Sequence, residues 1–190
     1  MSEVTLALVY LETVKLLEVF NLPYMIVGGL AVGIQGEQRL TNDIDVDIII
    51  REDQMKEFLS QAKQSGFTYQ EEEISKRVTQ RGVFRLNYES FYVDFIISST
   101  KFEESAFNRR QKITLYKIPA YFPSPEDLTI MKLIAGRGKD LLDVESIMIR
   151  HKDKLDLKYL DKWIKQVADE SEDITIWNRY QAVLKEVYKS

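Results

Sequence analysis

The most constraining feature of the sequence is a short segment, Asp43–Ile50, in which acidic and aliphatic residues alternate before the run becomes wholly apolar. A period of two is typical of a β-strand with two unlike faces. Asp43 and Asp45 would then share one face, about 6.6 Å apart along the strand. Ile44 and Val46 would point into the core from the other face. The pattern therefore predicts a strand that carries carboxylates within an apolar sheet.

A third acid, Asp94, interrupts the apolar run Phe91–Ile97, which is a second predicted strand. If the two strands are neighbours, their backbones lie about 4.8 Å apart. Carboxylates about 5 Å apart repel by about 3 kcal/mol per pair at an effective dielectric constant near 20. A divalent cation removes that repulsion, and an all-oxygen ligand set suits Mg²⁺. Two such ions about 3.5–4 Å apart are suited to in-line phosphoryl transfer.

The alternative is that these acids lie on a solvated strand face, where salt and water screen their repulsion. An isolated pair of acids two residues apart is fully compatible with that arrangement. Asp47 continues the same face but lies about 13 Å from Asp43 by strand rise. We therefore predict that Asp47 is solvated or peripheral.

Composition excludes several other chemistries. The chain has 190 residues, with 30 acidic and 26 basic side chains, one His and no Cys, so thiolate, disulfide and multi-histidine metal sites are ruled out. The net charge of −4 argues against a surface that binds nucleic acid all over, although Arg109–Lys117 leaves room for a local basic patch. No apolar run approaches the roughly 18 residues of a membrane span. We expect a cytoplasmic protein without a membrane partner, in keeping with the lack of Cys.

The order of patterns predicts an α+β fold, with a mixed β-sheet flanked by helices in residues 1–120 and a helical C-terminal subdomain in 121–190. A strand over 24–27 runs into the glycine turn Gly28–Gly29 and a helix, and two later strands form a hairpin. One further strand is predicted over 113–118. Ser124 and Pro125 are typical of a helix start, and everything after them is predicted to be helical. A cleft between the two parts is the expected ligand site.

The combined motifs resemble the DNA polymerase β-like nucleotidyltransferase superfamily. The likeness rests on Gly28-Gly29-Leu30-Ala31, then Arg39, Thr41 and Asp43-Ile44-Asp45-Val46, with Asp94 on a later strand. It is strongest toward minimal nucleotidyltransferases, which include AbiEii-type toxins and the aminoglycoside and lincosamide nucleotidyltransferases. A weaker likeness to AbiEii-type proteins continues through Ser124–Val144. The sequence departs from the common pattern at Gly29, where a serine often contacts phosphate.

The resemblance implies a nucleotidyltransferase fold and transfer of a nucleoside monophosphate from a nucleoside triphosphate to an acceptor, with release of pyrophosphate. It implies that Asp43, Asp45 and Asp94 hold two Mg²⁺ ions and that Asp94 also takes the proton of the acceptor. Lys132 would stabilise the leaving pyrophosphate. The implied nucleotide-binding residues are Gly28, Gly29, Arg39, Thr41 and Lys139.

Several alternatives stay open at this point. The acceptor is RNA such as tRNA, a protein or a small molecule, so a toxin-like enzyme and an antibiotic-modifying enzyme both fit. A non-catalytic module that senses nucleotides or binds a partner protein, as in a toxin-antitoxin system, fits as well. Lys132 is equally compatible with an ordinary solvated helix lysine. Asp140 and Asp143 are compatible with acids near a helix start, and His151 with a solvated surface residue.

Overall fold

The computed structural model describes residues 4–38 and 40–188 of the chain. It has the predicted α+β architecture, in which a four-stranded mixed sheet is combined with helices and a small two-stranded sheet. The helices and strands are α1 (Leu6–Val19), β1 (Tyr24–Val27), α2 (Gly28–Gln35), β2 (Asp43–Ile48), α3 (Glu52–Gln64), α4 (Glu71–Arg81), β3 (Val83–Tyr88), β4 (Phe91–Ile97), α5 (Lys101–Arg109), β5 (Gln111–Leu115), β6 (Ile118–Phe122), α6 (Pro125–Ala135), α7 (Gly138–Arg150), α8 (Leu157–Glu170) and α9 (Ile174–Tyr188).

The chain divides into two compact units. The first contains the residues up to Leu30 together with Leu40–Phe122, and thus both sheets. The second contains the segment that starts at Ala31 and all residues from Pro123 onward, and it is helical. Helix α2 begins in the first unit and ends in the second.

The four-stranded sheet has the order β1-β2-β4-β3, so the acidic strand is one of its two central strands. β2 pairs with β1 in antiparallel and with β4 in parallel orientation, and β3 and β4 form the predicted antiparallel hairpin. The turn of that hairpin is Glu89–Ser90, and Glu89 has a positive φ of 52°. The parallel pairing of β2 with β4 sets the relative positions of the acids.

The core of the first unit lies on the face of the sheet opposite the acids. Ile44 and Val46 of β2 are fully buried, as the alternating pattern predicted. Phe84 and Phe95 stack across β3 and β4 with ring centroids 4.8 Å apart, and Phe58 of α3 meets Phe95 edge-on at 5.5 Å. Such packed aromatic side chains contribute strongly to a core. The rigid apolar layer fixes β2 and β4, and with them the opposite face.

Helix α6 begins at the residues that the sequence pattern marked as a helix start. The side chain of Ser124 accepts a hydrogen bond from the backbone N–H of Asp127, and Pro125 occupies the first helical position. This arrangement satisfies one free N–H of the helix start and uses the fixed φ of proline. α6 then ends at Gly136, which has a φ of +61°. The predicted residues Ser124 and Pro125 therefore set the start of α6, and Gly136 ends it.

Two expectations about local structure differ from the observed fold. The strand predicted over 113–118 is a hairpin of β5 and β6, because Tyr116 and Lys117 form its turn with φ values of 51° and 65°. Residues of these types give no turn signal in a sequence. The sequence analysis also did not predict α4, whose only buried residue is Ile74, or α5. In the described part of the chain no helix is both long and apolar enough to span a membrane.

Candidate functional site

Asp45 and Asp94 are directly paired on neighbouring parallel strands. Residues in register on adjacent strands point to the same side of the sheet, so both carboxylates lie on one face. Asp43 lies on that face too, two residues before Asp45, and its register partner is Tyr92. All three acids are only half-buried, which leaves them accessible from solvent. The fold thus brings the backbone positions of Asp43, Asp45 and Asp94 together.

Gly28 lies directly against the carboxylate of Asp45. The strand pairing places Val27 opposite Asp45, so the chain turns into α2 beside this acid. Gly28 has a φ of +62°, and a side-chain carbon there would overlap Oδ2 of Asp45 and come within 2.5 Å of its Cγ. Only glycine meets both requirements. The predicted glycine turn therefore brings the start of helix α2 next to the carboxylate of Asp45.

Gly29, Thr41 and Asp43 form the next part of the site. A side-chain carbon at Gly29 would lie 2.9 Å from Oγ1 of Thr41 and 3.0 Å from its Cβ. The Thr41 hydroxyl donates a hydrogen bond to Oδ1 of Asp43. Thr41 thus fills the space that a serine at position 29 would need, which is a physical reason for the departure from the common motif.

Arg85 binds both oxygens of Asp94, a contact that the sequence analysis missed. Its Nε donates to Oδ1 at 2.7 Å and its Nη2 to Oδ2 at 2.6 Å. The guanidinium also lies over the ring of Tyr92, 4.7 Å from its centroid. The pKa of Arg85 is raised, chiefly by these hydrogen bonds, and the charges of Asp94 and Asp43 act in the same direction. The predicted β3–β4 hairpin would have given the signal, because Arg85 is the register partner of Asp94.

The three acids are chemically suited to a hard cation, since carboxylate oxygens are preferred Mg²⁺ ligands. Their side chains are held by different neighbours: Asp43 by Thr41, Asp45 against Gly28 and Asp94 by Arg85. Within the part of the chain that the structure describes, no three Asp, Glu or His side chains are gathered as a metal-binding group. The strand register thus brings the three acids together, whereas each carboxylate is contacted by a different neighbouring residue.

Asp47 corrects the expectation of a solvated residue. It continues the acidic face of β2, but its exposed fraction is only 5%. Burial, together with the smaller effects of the charges of Glu103 and Asp45, raises the pKa of Asp47 to about 8. The distance of Asp47 from Asp43 along β2 gives no measure of its burial, and Glu103 of α5 is a further acid close enough to act on it. The acidic face therefore changes from accessible at Asp43 to buried at Asp47.

In the second unit, Lys132 is buried in a cluster of ion pairs. Its Nζ lies 2.9 Å from Oδ2 of Asp143 and 3.3 Å from Oδ1 of Asp140. Arg137 adds a contact of 2.6 Å from its Nε to Asp140, and the pKa of Asp140 is lowered because Arg137 and Lys132 outweigh the effect of burial. The alternative that Lys132 is an ordinary solvated helix lysine is therefore wrong. Lys139 is exposed nearby in sequence.

The sequence also drew attention to Arg39 and His151. Arg39 lies outside the described residues. His151, expected to be solvated, is half-buried, and its Nε2 donates to the carbonyl oxygen of Gln35 at 3.0 Å. Burial lowers the pKa of His151 below its usual value. His151 therefore ties α7 to the end of α2 within the second unit.

Comparisons with solved structures show a shared fold. The structure of ANT(2")-Ia in complex with adenylyl-2"-tobramycin is 12% identical, with a TM-score of 0.56, and the match covers 94% of this chain and 99% of that one. The lincomycin-bound lincosamide antibiotic adenylyltransferase LnuA is 14% identical, with a TM-score of 0.50 and coverage of 77% and 98%. An antigenic nucleotidyltransferase-like protein from Paracoccidioides brasiliensis is 15% identical, with a TM-score of 0.52 and coverage of 97% and 96%.

Sequence comparison identifies the family. No curated protein has a matching sequence. The family model described as nucleotidyltransferase of unknown function (DUF6036) matches residues 8–189. Because this match spans almost the whole chain, the protein belongs to that nucleotidyltransferase family.

Proposed function

We propose that this member of the DUF6036 nucleotidyltransferase family transfers a nucleoside monophosphate from a nucleoside triphosphate to an acceptor and releases pyrophosphate. The observation that carries the proposal is the register of Asp45 with Asp94, with Gly28 placed against the Asp45 carboxylate. This geometry sets acids from two strands beside the start of a helix. Acids alone would suit many sites, but acids beside a glycine-opened helix start suit a phosphate chain and its cations.

Asp43, Asp45 and Asp94 would hold Mg²⁺, which would neutralise phosphate charge during transfer. The first N–H groups of α2, at Gly28 and Gly29, would bind phosphate oxygens, because they have no partners within the helix. Asp94, as a carboxylate, would accept the proton of the acceptor hydroxyl.

The remaining predicted site residues differ in the exposure and in the partners of their side chains. Thr41 orients Asp43 through its hydroxyl, and this supports a positioning role for Thr41. Lys139 is exposed and free to meet a polyphosphate, whereas Lys132 is already bound to two carboxylates. We propose Lys139 as a nucleotide ligand. For Lys132 to stabilise pyrophosphate, it must release Asp140 or Asp143.

The acceptor is proposed by analogy with proteins of the same fold. ANT(2")-Ia is an antibiotic-resistance factor whose structure holds adenylyl-2"-tobramycin, and LnuA is a lincosamide antibiotic adenylyltransferase whose structure holds lincomycin. A small molecule with hydroxyl groups is therefore our first choice of acceptor, and RNA or protein acceptors of a toxin-like enzyme are the comparison arms of the test.

The test uses each of the four nucleoside triphosphates with an α-phosphate label, in the presence of Mg²⁺. Small-molecule, RNA and protein acceptors are supplied in separate reactions. We expect label transfer with one acceptor class and a loss of at least about 100-fold in Asp45→Asn. Asp53→Asn is the matched control, since Asp53 is an exposed acid whose only described ion pair is with Arg51. Transfer that is unchanged in Asp45→Asn would contradict the proposal.

A second function, nucleotide binding without transfer, is favoured by one observation. Arg85 binds both oxygens of Asp94, so a base at this position would act beside a guanidinium that already takes up part of its hydrogen-bonding capacity. A non-catalytic module would bind a nucleoside triphosphate with equal affinity in wild type and Asp94→Asn and would transfer no label. Turnover that is lost in Asp94→Asn would exclude this alternative.

A further inference from the structure

We propose that Arg85 is a built-in counter-cation of the acidic face, which occupies Asp94 in the metal-free protein and thereby sets the affinity of the site for divalent cations. This inference rests on the proposed function, because it concerns the same carboxylates. It assigns a role to a residue that none of the sequence motifs includes. Arg85 acts through Asp94 and is therefore a positioning residue.

Asp43, Asp45 and Asp94 lie on one face of two adjacent strands, and ionised carboxylates at such spacing repel one another. The metal-free protein therefore needs another positive charge at this face. β3 supplies Arg85 directly opposite Asp94, and its half-buried guanidinium lies between the Asp94 carboxylate and the Tyr92 ring.

The contact between Arg85 and Asp94 joins two nitrogens of one guanidinium to two oxygens of one carboxylate. Paired N–H donors of one guanidinium on two carboxylate oxygens form the strongest type of side-chain ion pair, and they fix the plane of both groups. The two bonds from Arg85 to Asp94 are 2.7 and 2.6 Å long. Asp94 is therefore held in one orientation before any ligand arrives. The carboxylate oxygens retain further lone pairs that can bind a metal ion, but the positive charge of Arg85 repels that ion.

The charge of Arg85 affects how divalent cations bind to the acidic face. A divalent cation at Asp45 and Asp94 would lie close to the guanidinium and be repelled by it. Arg85 therefore weakens metal binding by the free protein. In return it keeps the Asp94 carboxylate oriented. The arrangement favours metal ions that arrive with a nucleoside triphosphate, because the phosphate charge offsets that of Arg85.

The test is a titration of Mn²⁺ without nucleotide, in which the free ion is measured by electron paramagnetic resonance at constant ionic strength. We expect Arg85→Gln to bind Mn²⁺ about tenfold more tightly than wild type, and Arg85→Lys to lie between them because lysine keeps the charge but not the paired geometry. Arg77→Gln is the matched control, since Arg77 is a similarly exposed arginine paired with Glu73 on α4. Its Mn²⁺ affinity should equal that of wild type.

A second background shows whether Arg85 acts through Asp94. In Asp94→Asn, the further change Arg85→Gln should alter Mn²⁺ affinity by about twofold or less, because there is no longer a carboxylate to compete for. An equal tenfold gain in both backgrounds would overturn the proposal, as it would report general charge removal. Unchanged or weaker Mn²⁺ binding by folded Arg85→Gln would overturn it as well.

The outcomes separate this inference from the proposed function. If wild type transfers label and Arg85→Gln binds Mn²⁺ no better, only the role of Arg85 is refuted. If neither protein binds Mn²⁺ nor transfers label, both proposals are refuted. A metal-free readout is also expected: the melting temperature of Arg85→Gln falls below that of Arg77→Gln and recovers when Mn²⁺ is added. A melting temperature of Arg85→Gln that stays low in saturating Mn²⁺ would count against the proposal.

Discussion

The hydroxyl oxygen of Thr41 lies 2.9 Å from the point where a side-chain carbon at Gly29 would stand. The two positions therefore share one volume. The same hydroxyl donates to Asp43, so a larger residue at position 29 would displace a group that orients an acid of the site. The absence of serine at position 29 is thus coupled to the presence of threonine at position 41.

Gly29→Ser should destabilise the protein by about 1–3 kcal/mol, the usual cost of forcing extra atoms into a packed site. Thr41→Ala in the same chain should recover part of this loss, so the two changes should be non-additive. Urea unfolding measures both effects. The control is Gly33→Ala on the same helix, where the nearest atom would be 3.8 Å away. Additive effects of Gly29→Ser and Thr41→Ala would contradict the coupling.

Gly28→Ala should impair transfer far more than its backbone strain alone explains, since the new methyl group overlaps the Asp45 carboxylate. Gly82→Ala isolates the strain: Gly82 has a φ of +63°, and its added carbon would meet nothing closer than 3.7 Å. Both variants should lose about 1–2 kcal/mol to the left-handed backbone. Only Gly28→Ala should also lose label transfer, by at least about 100-fold. Equal activities of the two variants would argue against a role for Asp45.

Lys132→Met should destabilise the protein by about 3–5 kcal/mol, because it leaves buried Asp140 and Asp143 without their shared ammonium group. Lys139→Met removes the same charge from an exposed position and should change stability by less than about 0.5 kcal/mol. Denaturant midpoints of the two variants give the comparison. Similar midpoints would show that the buried ion pairs contribute little. Adding Asp143→Asn to Lys132→Met should restore part of the lost stability.

The single imidazole of the chain offers a direct pH test. Because burial lowers the pKa of His151, its NMR titration should give a midpoint below 6.5. Between that midpoint and pH 6.5 the imidazole of His151 binds more protons in the unfolded chain than in the folded one, so its contribution to stability should fall as the pH is lowered through this window. Asp47, whose pKa is raised to about 8, contributes with the opposite sign in the same window. His151→Gln should remove only the contribution of the imidazole. A midpoint at or above 6.5 would contradict the lowered pKa.

The elements that depend on local patterns were predicted well. The acidic strand, the β3–β4 hairpin and the start of α6 follow from alternation, apolar runs and capping residues that lie next to one another in the sequence. Asp43, Asp45 and Asp94 could be grouped because a strand period of two and a strand spacing are general properties of sheets.

The partners of individual side chains were not predictable in the same way. The raised pKa of Asp47 depends in part on Glu103 of α5, which is distant in sequence, and the two carboxylate partners of Lys132 depend on how α6 meets α7. Arg85 was missed for a different reason, since its register with Asp94 follows from a hairpin that was itself predicted. Reading side-chain partners off that register would have added Arg85 to the site.

The parallel pairing of β2 with β4 has a consequence for the order of folding. β3 and β4 are joined by a tight turn, so their pairing is local and fast, whereas α3, α4 and β3 all intervene between β2 and β4. The Arg85–Asp94 pair can therefore form with the early hairpin, and Asp45 joins it only when the non-local strand docks. If the acids bind a metal ion as proposed, recovery of that binding during refolding should lag behind formation of the hairpin, because it requires β2 to have docked beside β4.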